Sequence, residues 1–263
     1  MRKDFERAYI TVHGPIAVLT MNHPQAMNAV SPKMAGGLIS AIDHIEASDA
    51  IRAVVLTGEG KAFCSGHNLT ETPASESARD PGFVLETSYH PLLRRLRNLR
   101  MPLIVAVNGV AAGIGMSYAL LGDLILAARS AYFLQAFARI GLIPDGGATW
   151  LLPRIIGTAR ARELSLLAER LSAETALEWG LINRVYDDGS LMDEALKLAH
   201  RLAEGPTASL SMIRQLYWAS LNNSLEEQID LECQMQRRAG RSEDAAEGAA
   251  AFRQKRPPNF KGR

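Results

Sequence analysis

Two glycine-bearing segments carry the residue types that could do chemistry. Lys61-Ala62-Phe63-Cys64-Ser65-Gly66-His67-Asn68-Leu69 comes after the apolar run Ala53–Thr57. Ala106-Val107-Asn108-Gly109-Val110-Ala111-Ala112-Gly113-Ile114-Gly115-Met116 closes the run Leu103–Val107. Glycine accepts positive φ and lets backbone approach a ligand closely. Each segment reads as a place where a strand ends and a helix begins, and the first N–H groups of a helix have no partner within it. Two such segments converging on one point would hold a developing negative charge, which is the chemistry of an oxyanion hole. The spacing Gly-x-x-x-Gly-x-Gly of the second fits neither a dinucleotide fingerprint nor a phosphate loop.

Other candidates have plainer readings. Asp145, in Ile143-Pro144-Asp145-Gly146-Gly147 ahead of Ala148-Thr149-Trp150-Leu151, suits the N-cap of a helix by local sequence. Cys64 and His67 are three apart, but no second Cys/His pair has ligand spacing, so no metal site is expected. Ser65 lacks the Gly-x-Ser-x-Gly elbow of a hydrolase nucleophile. Arg94, Arg95, Arg97 and Arg100 overlie Leu92, Leu96 and Leu99 at helical spacing, which reads as the solvated face of a helix.

The elements that must position these residues alternate in the amino-terminal half. Tyr9–Val12 and Ile16–Met21 read as strands joined by His13-Gly14-Pro15, and Ser31-Pro32 starts a helix running to about Ala47. Ala53–Thr57 and Leu103–Val107 are strands, with a helix near Leu92–Leu99 between them. Beyond residue 157 the pattern turns helical: Thr158–Ala168, Ala173–Trp179 capped by Ser172, Ser190–Ala203, Pro206–Ser220, Leu225–Ala239 and Glu243–Gln254. The expected architecture is an α/β core over residues 1–190 that binds the ligand, then a helical region over 191–263.

Composition bounds the class. With 263 residues, 47% hydrophobic and 22% charged, the chain is ordinary for a globular protein, and its net charge of +1 argues against general nucleic-acid binding. Two cysteines make no disulfide framework, and the charged start Met1–Arg7 lacks a signal peptide's apolar run; a cytoplasmic location is expected. Met101–Gly122 is a stretch of 22 uncharged residues, yet Pro102, Asn108, Gly109, Gly113 and Gly115 break it into strand, turn and buried helix rather than a membrane span. Residues 231–263 hold eight basic and four acidic residues, a local +4.

Together the segments resemble the crotonase (enoyl-CoA hydratase/isomerase) superfamily. Ala62-Phe63-Cys64-Ser65-Gly66-His67-Asn68-Leu69 is similar to its A-F-[SC]-x-G-x-D-[LI] motif, and Asn108–Gly115 to N-G-x-A-x-G-G-G. Asn22-His23-Pro24 with Asn28-Ala29, Gly180-Leu181-Ile182-Asn183 and the tail Phe252, Lys255-Arg256 and Pro258-Asn259-Phe260 extend the resemblance over almost the whole chain. It implies a spiral of ββα units with a helical carboxyl-terminal region that forms trimers or dimers of trimers. It also implies an acyl-CoA thioester substrate whose enolate is held by the backbone N–H groups of His67 and Ile114, supported by Gly113 and Gly115. Ala62, Cys64, Gly66, Phe260 and Lys261 are the coenzyme A-binding positions it implies, with the tail often reaching across a subunit boundary. No separate cofactor is implied, since coenzyme A is part of the substrate.

The resemblance also speaks to the reaction. The two glutamates with which hydratases of this superfamily handle water fall here at Ser117 and Phe137, neither of which is an acid or base. Gly141–Arg154, Cys64-Ser65-Gly66 and Ala239–Asp244 are most similar to the 1,2-epoxyphenylacetyl-CoA isomerase subgroup, in which the residue matching Asp145 is the catalytic acid/base. Related dehalogenases use an aspartate there as nucleophile. An acyl-CoA isomerase is therefore expected, with a hydratase, an Asp145-dependent hydrolase or dehalogenase, and a non-catalytic acyl-CoA binder as alternatives. Raising the pKa of Asp145 toward neutrality would take burial, beside Phe137, Ile143 or Trp150. The loop Thr70–Pro81 is expected to shape the acyl pocket. Ile114, where the family has a small residue, is expected to narrow it, and Asn68 to keep the cap of the usual aspartate without its charge.

Overall fold

The computed structural model describes residues 2–71, 76 and 80–263. The chain opens with the antiparallel strands β1 (Arg2–Phe5), β2 (Ala8–His13) and β3 (Ile16–Met21). Helix α1 (Pro32–Glu46) follows, with Ser31 accepting the Met34 N–H as N-cap and proline at the first position, as its sequence dictates. Next come β4 (Ala53–Gly58) and β5 (Ala62–Cys64), then α2 (Pro81–Val84), which runs through a π-helical turn at Leu85–Tyr89 into α3 (His90–Arg97). Two more strand pairs succeed it: β6 (Leu103–Val107) and β7 (Val110–Ala112) ahead of α4 (Ile114–Ala119), and β8 (Leu124–Ala128) and β9 (Tyr132–Leu134) ahead of α5 (Ala148–Ile155). The chain continues through α6 (Thr158–Leu167), β10 (Leu171–Ser172), α7 (Ala173–Glu178) and β11 (Arg184–Tyr186). It ends in α8 (Leu191–Ala203), α9 (Thr207–Ser220), α10 (Leu225–Ala239) and α11 (Glu243–Gln254).

The strand pairs divide between two sheets. The first strand of each pair joins a seven-stranded sheet in the order β1-β2-β3-β4-β6-β8-β11, parallel from β3 onward. The second strand of each joins a four-stranded sheet in the order β10-β9-β7-β5. Each ββα unit therefore advances both sheets by one strand, which makes the spiral. Strands β3, β4 and β6 are buried along their whole length, as continuous apolar runs must be when both faces of a parallel sheet are covered. Helix α8 lies across β3, β4, β6 and β8, and α1 lies against β1, β2 and β3. No helix among the described residues is long and apolar enough to cross a membrane.

Two expectations need correction. The first glycine segment opens no helix: Ala62–Cys64 is a strand, and the chain turns after it with Gly66 at φ +107°. The uncharged stretch holds a second strand, β7, between its turn and a helix of only six residues. Three-residue strands carry too few alternations to register as periodic.

The reading of the arginine run agrees with the structure. The arginine run flanks buried Leu92, Leu96 and Leu99; Arg95 pairs with Asp43 and Glu46, and Arg100 with Asp49. Among the described residues no cluster of metal-ligating side chains occurs.

Candidate active site

Two asparagines set the loops. Asn28, fully buried, donates through Nδ2 to the carbonyls of Glu59 (2.9 Å) and Ala62 (2.7 Å) and accepts the His23 N–H at Oδ1. Asn108 donates to the carbonyls of Gly58 and Gly60, both at 2.8 Å, and accepts the Gly58 N–H. The chain between β4 and β5 is thereby clamped from both sides, and the clamp fixes where β5 delivers Gly66 and His67.

The two glycine segments then interlock. A Cβ at Gly115 would sit 2.5 Å from the Cys64 carbonyl oxygen and 2.7 Å from its Sγ, and one at Gly66 would sit 3.2 Å from the Ala112 carbonyl oxygen. Gly113 caps α4 at φ +53°, a conformation open to glycine. His67 forms an isolated parallel bridge with Val30, whose bonds run to the Gly66 carbonyl and from the Asn68 N–H. In that pattern the N–H of His67 itself points away from Val30. Among the described residues, neither the His67 N–H nor the Ile114 N–H donates to a backbone carbonyl. Asn68 accepts the Thr70 N–H and hydroxyl, so it keeps the turn, and its amide donates to Glu71, which pairs with Arg7.

Both segments open on one cavity of about 510 Å³. Gly66, His67, Gly113, Ile114 and Asp145 line it, with an apolar wall that includes Val84, Leu85, Leu134, Phe137 and Leu142. Asp145 is not an N-cap. Gly147 occupies that position with no side-chain cap, and Asp145 lines the cavity. One of its oxygens is buried with no hydrogen-bond partner. Burial pushes this carboxyl up to about 6, because the apolar surroundings disfavour the charged form.

The two glutamate-matching positions have other work here. Ser117, fully buried, donates its hydroxyl to the Asp145 carbonyl at 2.9 Å, and Phe137 lies on the cavity wall beside Gly113. Of the three side chains expected around Asp145, only Phe137 lines the cavity. Ile143 is 81% exposed, and Trp150 stacks on Trp218 instead. Ile114 lines the cavity but is itself buried, its side chain 3.3 Å from where a Cβ at Gly146 would sit. Of the loop Thr70–Pro81, Glu71 and Pro81 line the cavity, while residues 72–75 and 77–79 lie outside the described residues.

The implied coenzyme A positions separate into two groups. Ala62 and Cys64 are buried in β5, within the first segment, and burial pushes the Cys64 thiol up to about 12, far from a reactive thiolate. Phe260 and Lys261 are not at the Asp145 cavity of their own chain. The Phe260 ring packs on Gly248 and its carbonyl accepts from Arg52, while Lys261 lines a different cleft with Arg52, Arg100, Arg238 and Arg263.

Tyr89 is the residue sequence reading passed over. Its hydroxyl donates to the Val30 carbonyl (2.9 Å) and lies 2.5 Å from Nδ1 of His67, and burial raises its pKa. It belongs to no motif, and the π-helical turn that aims it leaves no periodic trace in the sequence.

Comparison with known proteins agrees with this geometry. Residues 11–263 match the family model of enoyl-CoA hydratase/isomerase. The chain is 47% identical over 250 residues to 1,2-epoxyphenylacetyl-CoA isomerase of Escherichia coli, covering 94% of this chain and 95% of that one. It is 42% identical over 248 residues to a probable enoyl-CoA hydratase of Rhodobacter capsulatus, covering 94% and 95%. Among solved structures, an enoyl-CoA hydratase from a Polaromonas species superposes with a TM-score of 0.90 at 35% identity, over 96% of this chain and 99% of that one. A buried two-sheet spiral, paired glycine segments and these matches over nearly the full length lead to one conclusion: the chain belongs to the enoyl-CoA hydratase/isomerase, or crotonase, family.

Proposed function

We propose that the chain is an acyl-CoA isomerase that shifts a double bond, or steers epoxide ring expansion, in an acyl thioester with Asp145 as acid/base. One observation carries this reading: Asp145, whose carboxyl is pushed up to about 6 by burial, lines the same cavity as His67 and Ile114, whose N–H groups donate to no backbone carbonyl among the described residues. The thioester oxygen sits between the N–H groups of His67 and Ile114, which stabilise charge as the enolate forms. Asp145 takes a proton from one carbon of the acyl chain and returns it to another, so a single carboxyl near its pKa serves as base and then acid. Coenzyme A enters as part of the substrate, and the chemistry asks for no further cofactor.

The missing glutamates favour isomerisation over water addition by the two-carboxylate route, because Ser117 and Phe137 offer no carboxylate. The tail supports a homotrimer or dimer of trimers, in which the basic cleft at Lys261 meets the phosphates of coenzyme A held by a neighbouring copy. Tyr217, Leu225 and Phe252 are 74%, 74% and 86% exposed, apolar surface suited to burial between copies. The deciding experiment is isomerisation of a 3-enoyl-CoA by Asp145→Ala. A loss of about 10²-fold or more in kcat is expected, and near wild-type turnover overturns the reading.

A further inference from the structure

Residues 257–263 form no helix or strand, so their backbone has no ladder of its own and its order must be imposed by other groups. Three side chains impose it. Glu247 accepts the Asn259 N–H at 2.8 Å, and Arg52 donates to the Phe260 carbonyl at 3.2 Å. Asp244, one turn before Glu247 on α11, accepts the N–H of Lys261 at 2.6 Å and that of Gly262 at 2.8 Å, one on each oxygen. Its own N–H donates to the Arg263 carbonyl at 3.1 Å. Asp244 is 2% exposed, and both of its oxygens are spent on this one stretch of backbone. Gly262 suits the path because it lacks a side chain: its φ is +84°, and a Cβ would sit 3.0 Å from the Thr207 hydroxyl. The held segment completes a cleft of about 660 Å³ lined by Arg52, Arg100, Arg238, Lys261 and Arg263. Asp49, the one carboxylate side chain lining it, pairs with Arg100, and Arg263 pairs with Glu243. Among the described residues no carboxylate pairs with Arg52, Arg238 or Lys261, and that excess of positive charge suits a phosphate.

We propose that Asp244 is a positioning residue for substrate binding: by gripping the backbone of Lys261 and Gly262 it fixes the cationic cleft that takes the nucleotide phosphates of the thioester. The proposal rests on the reading above that this cleft meets coenzyme A held by a neighbouring copy. Asp244 touches no phosphate itself and acts only through the backbone it holds. Without that grip, Lys261 must be ordered each time the thioester binds, and the entropy lost is subtracted from affinity. The acyl end of the substrate belongs to the Asp145 cavity, which Asp244 does not line. The loss therefore falls on thioesters that carry the nucleotide, and much less on those that stop at pantetheine.

The test compares two saturated ligands, butanoyl-CoA and butanoyl-pantetheine, by calorimetric titration of the full chain. The second keeps the acyl and pantetheine arms and lacks the nucleotide phosphates. Asp244→Asn leaves one acceptor and sets an amide against an N–H. It should weaken butanoyl-CoA about tenfold more than butanoyl-pantetheine, the scale of one charge-assisted contact. Gly262→Ala, which diverts the same backbone while keeping the carboxylate, should show the same selective loss. Lys261→Ala removes the cation itself and sets the size of the loss to be expected. A selective loss in Lys261→Ala that is absent from Asp244→Asn overturns the proposal and leaves the coenzyme A reading standing. Equal weakening of both ligands in Asp244→Asn, or a changed oligomeric mass by sedimentation, makes its role one of general structure and overturns the proposal too. If Lys261→Ala binds both ligands as wild type does, the cleft meets no coenzyme A phosphate, and that reading falls together with the proposal.

Discussion

Ser117 donates its hydroxyl to the backbone carbonyl of Asp145, 28 residues further along the chain. The bond joins α4, whose first N–H lines the cavity, to the turn that carries the carboxylate. The two halves of the site are thus held at a fixed distance by a side chain too short to take part in proton transfer itself. Ser117→Ala removes one buried hydrogen bond and should cost about 1 kcal/mol of stability. It should lower isomerase kcat about threefold to tenfold by loosening Asp145. Urea unfolding and steady-state kinetics check the two effects; an unchanged kcat would show that the turn is held elsewhere.

The pH dependence follows from the same carboxyl. On the proposed reading Asp145 is the base and must be ionised, so kcat/KM should fall as pH drops through about 6. Stability runs the other way. The folded pKa lies above the unfolded value, so burying the charged form destabilises the fold at high pH, and that penalty is relieved as pH falls through about 6 toward 4. Asp145→Asn should therefore be more stable than wild type at pH 8 by roughly 1–2 kcal/mol, after discounting for partial exposure, with the advantage vanishing near pH 4. Thermal melts of both proteins across that range check the sign.

Gly115→Ala places a methyl within 2.5–2.7 Å of Cys64. Backbone oxygen and a buried thiol cannot yield cheaply, so the two segments should separate, with a loss of about 1–3 kcal/mol. The shift moves the Ile114 N–H with it, and kcat should fall by more than KM rises. Gly36→Ala, where a Cβ meets nothing within 4 Å, is the control and should leave kcat unchanged.

Arg214 ties α9 to the core. Its guanidinium, 6% exposed, pairs with Asp123 at 2.5 Å and donates to the carbonyls of Leu96 and Leu99. Burial raises the Asp123 pKa while Arg214 opposes it. Arg214→Ala strands that carboxyl and two carbonyls, and a loss of about 3–5 kcal/mol is expected. Urea denaturation checks it, and Arg214→Met should recover part of the loss through packing.

The helices from Thr158 onward were legible because caps and long amphipathic runs are local properties: Ser172 caps α7 as expected, and the structure adds Ser224 and Ser242 as caps of α10 and α11. The strands β5, β7 and β9 were not, because their pairing is decided by partners far away in the chain. At the site, residues with motif neighbours could be found, and Asp145 was ambiguous only because aspartate before glycines also suits a cap. Tyr89 could not be found, since its role depends on meeting His67 and Val30 across 22 and 59 residues.

The alternation of strands between two sheets has one more consequence. His67 follows β5, and Ile114 follows β7, the adjacent strand of the small sheet, so the two N–H donors come from equivalent places in consecutive repeats. The backbone repeat supplies the pair whatever side chains surround it. Side chains on later turns, such as Asp145, can then be exchanged without rebuilding the donors. On the proposed reading, charge capture belongs to the scaffold and proton traffic to its decoration, so a change of reaction needs only a few substitutions along the cavity wall.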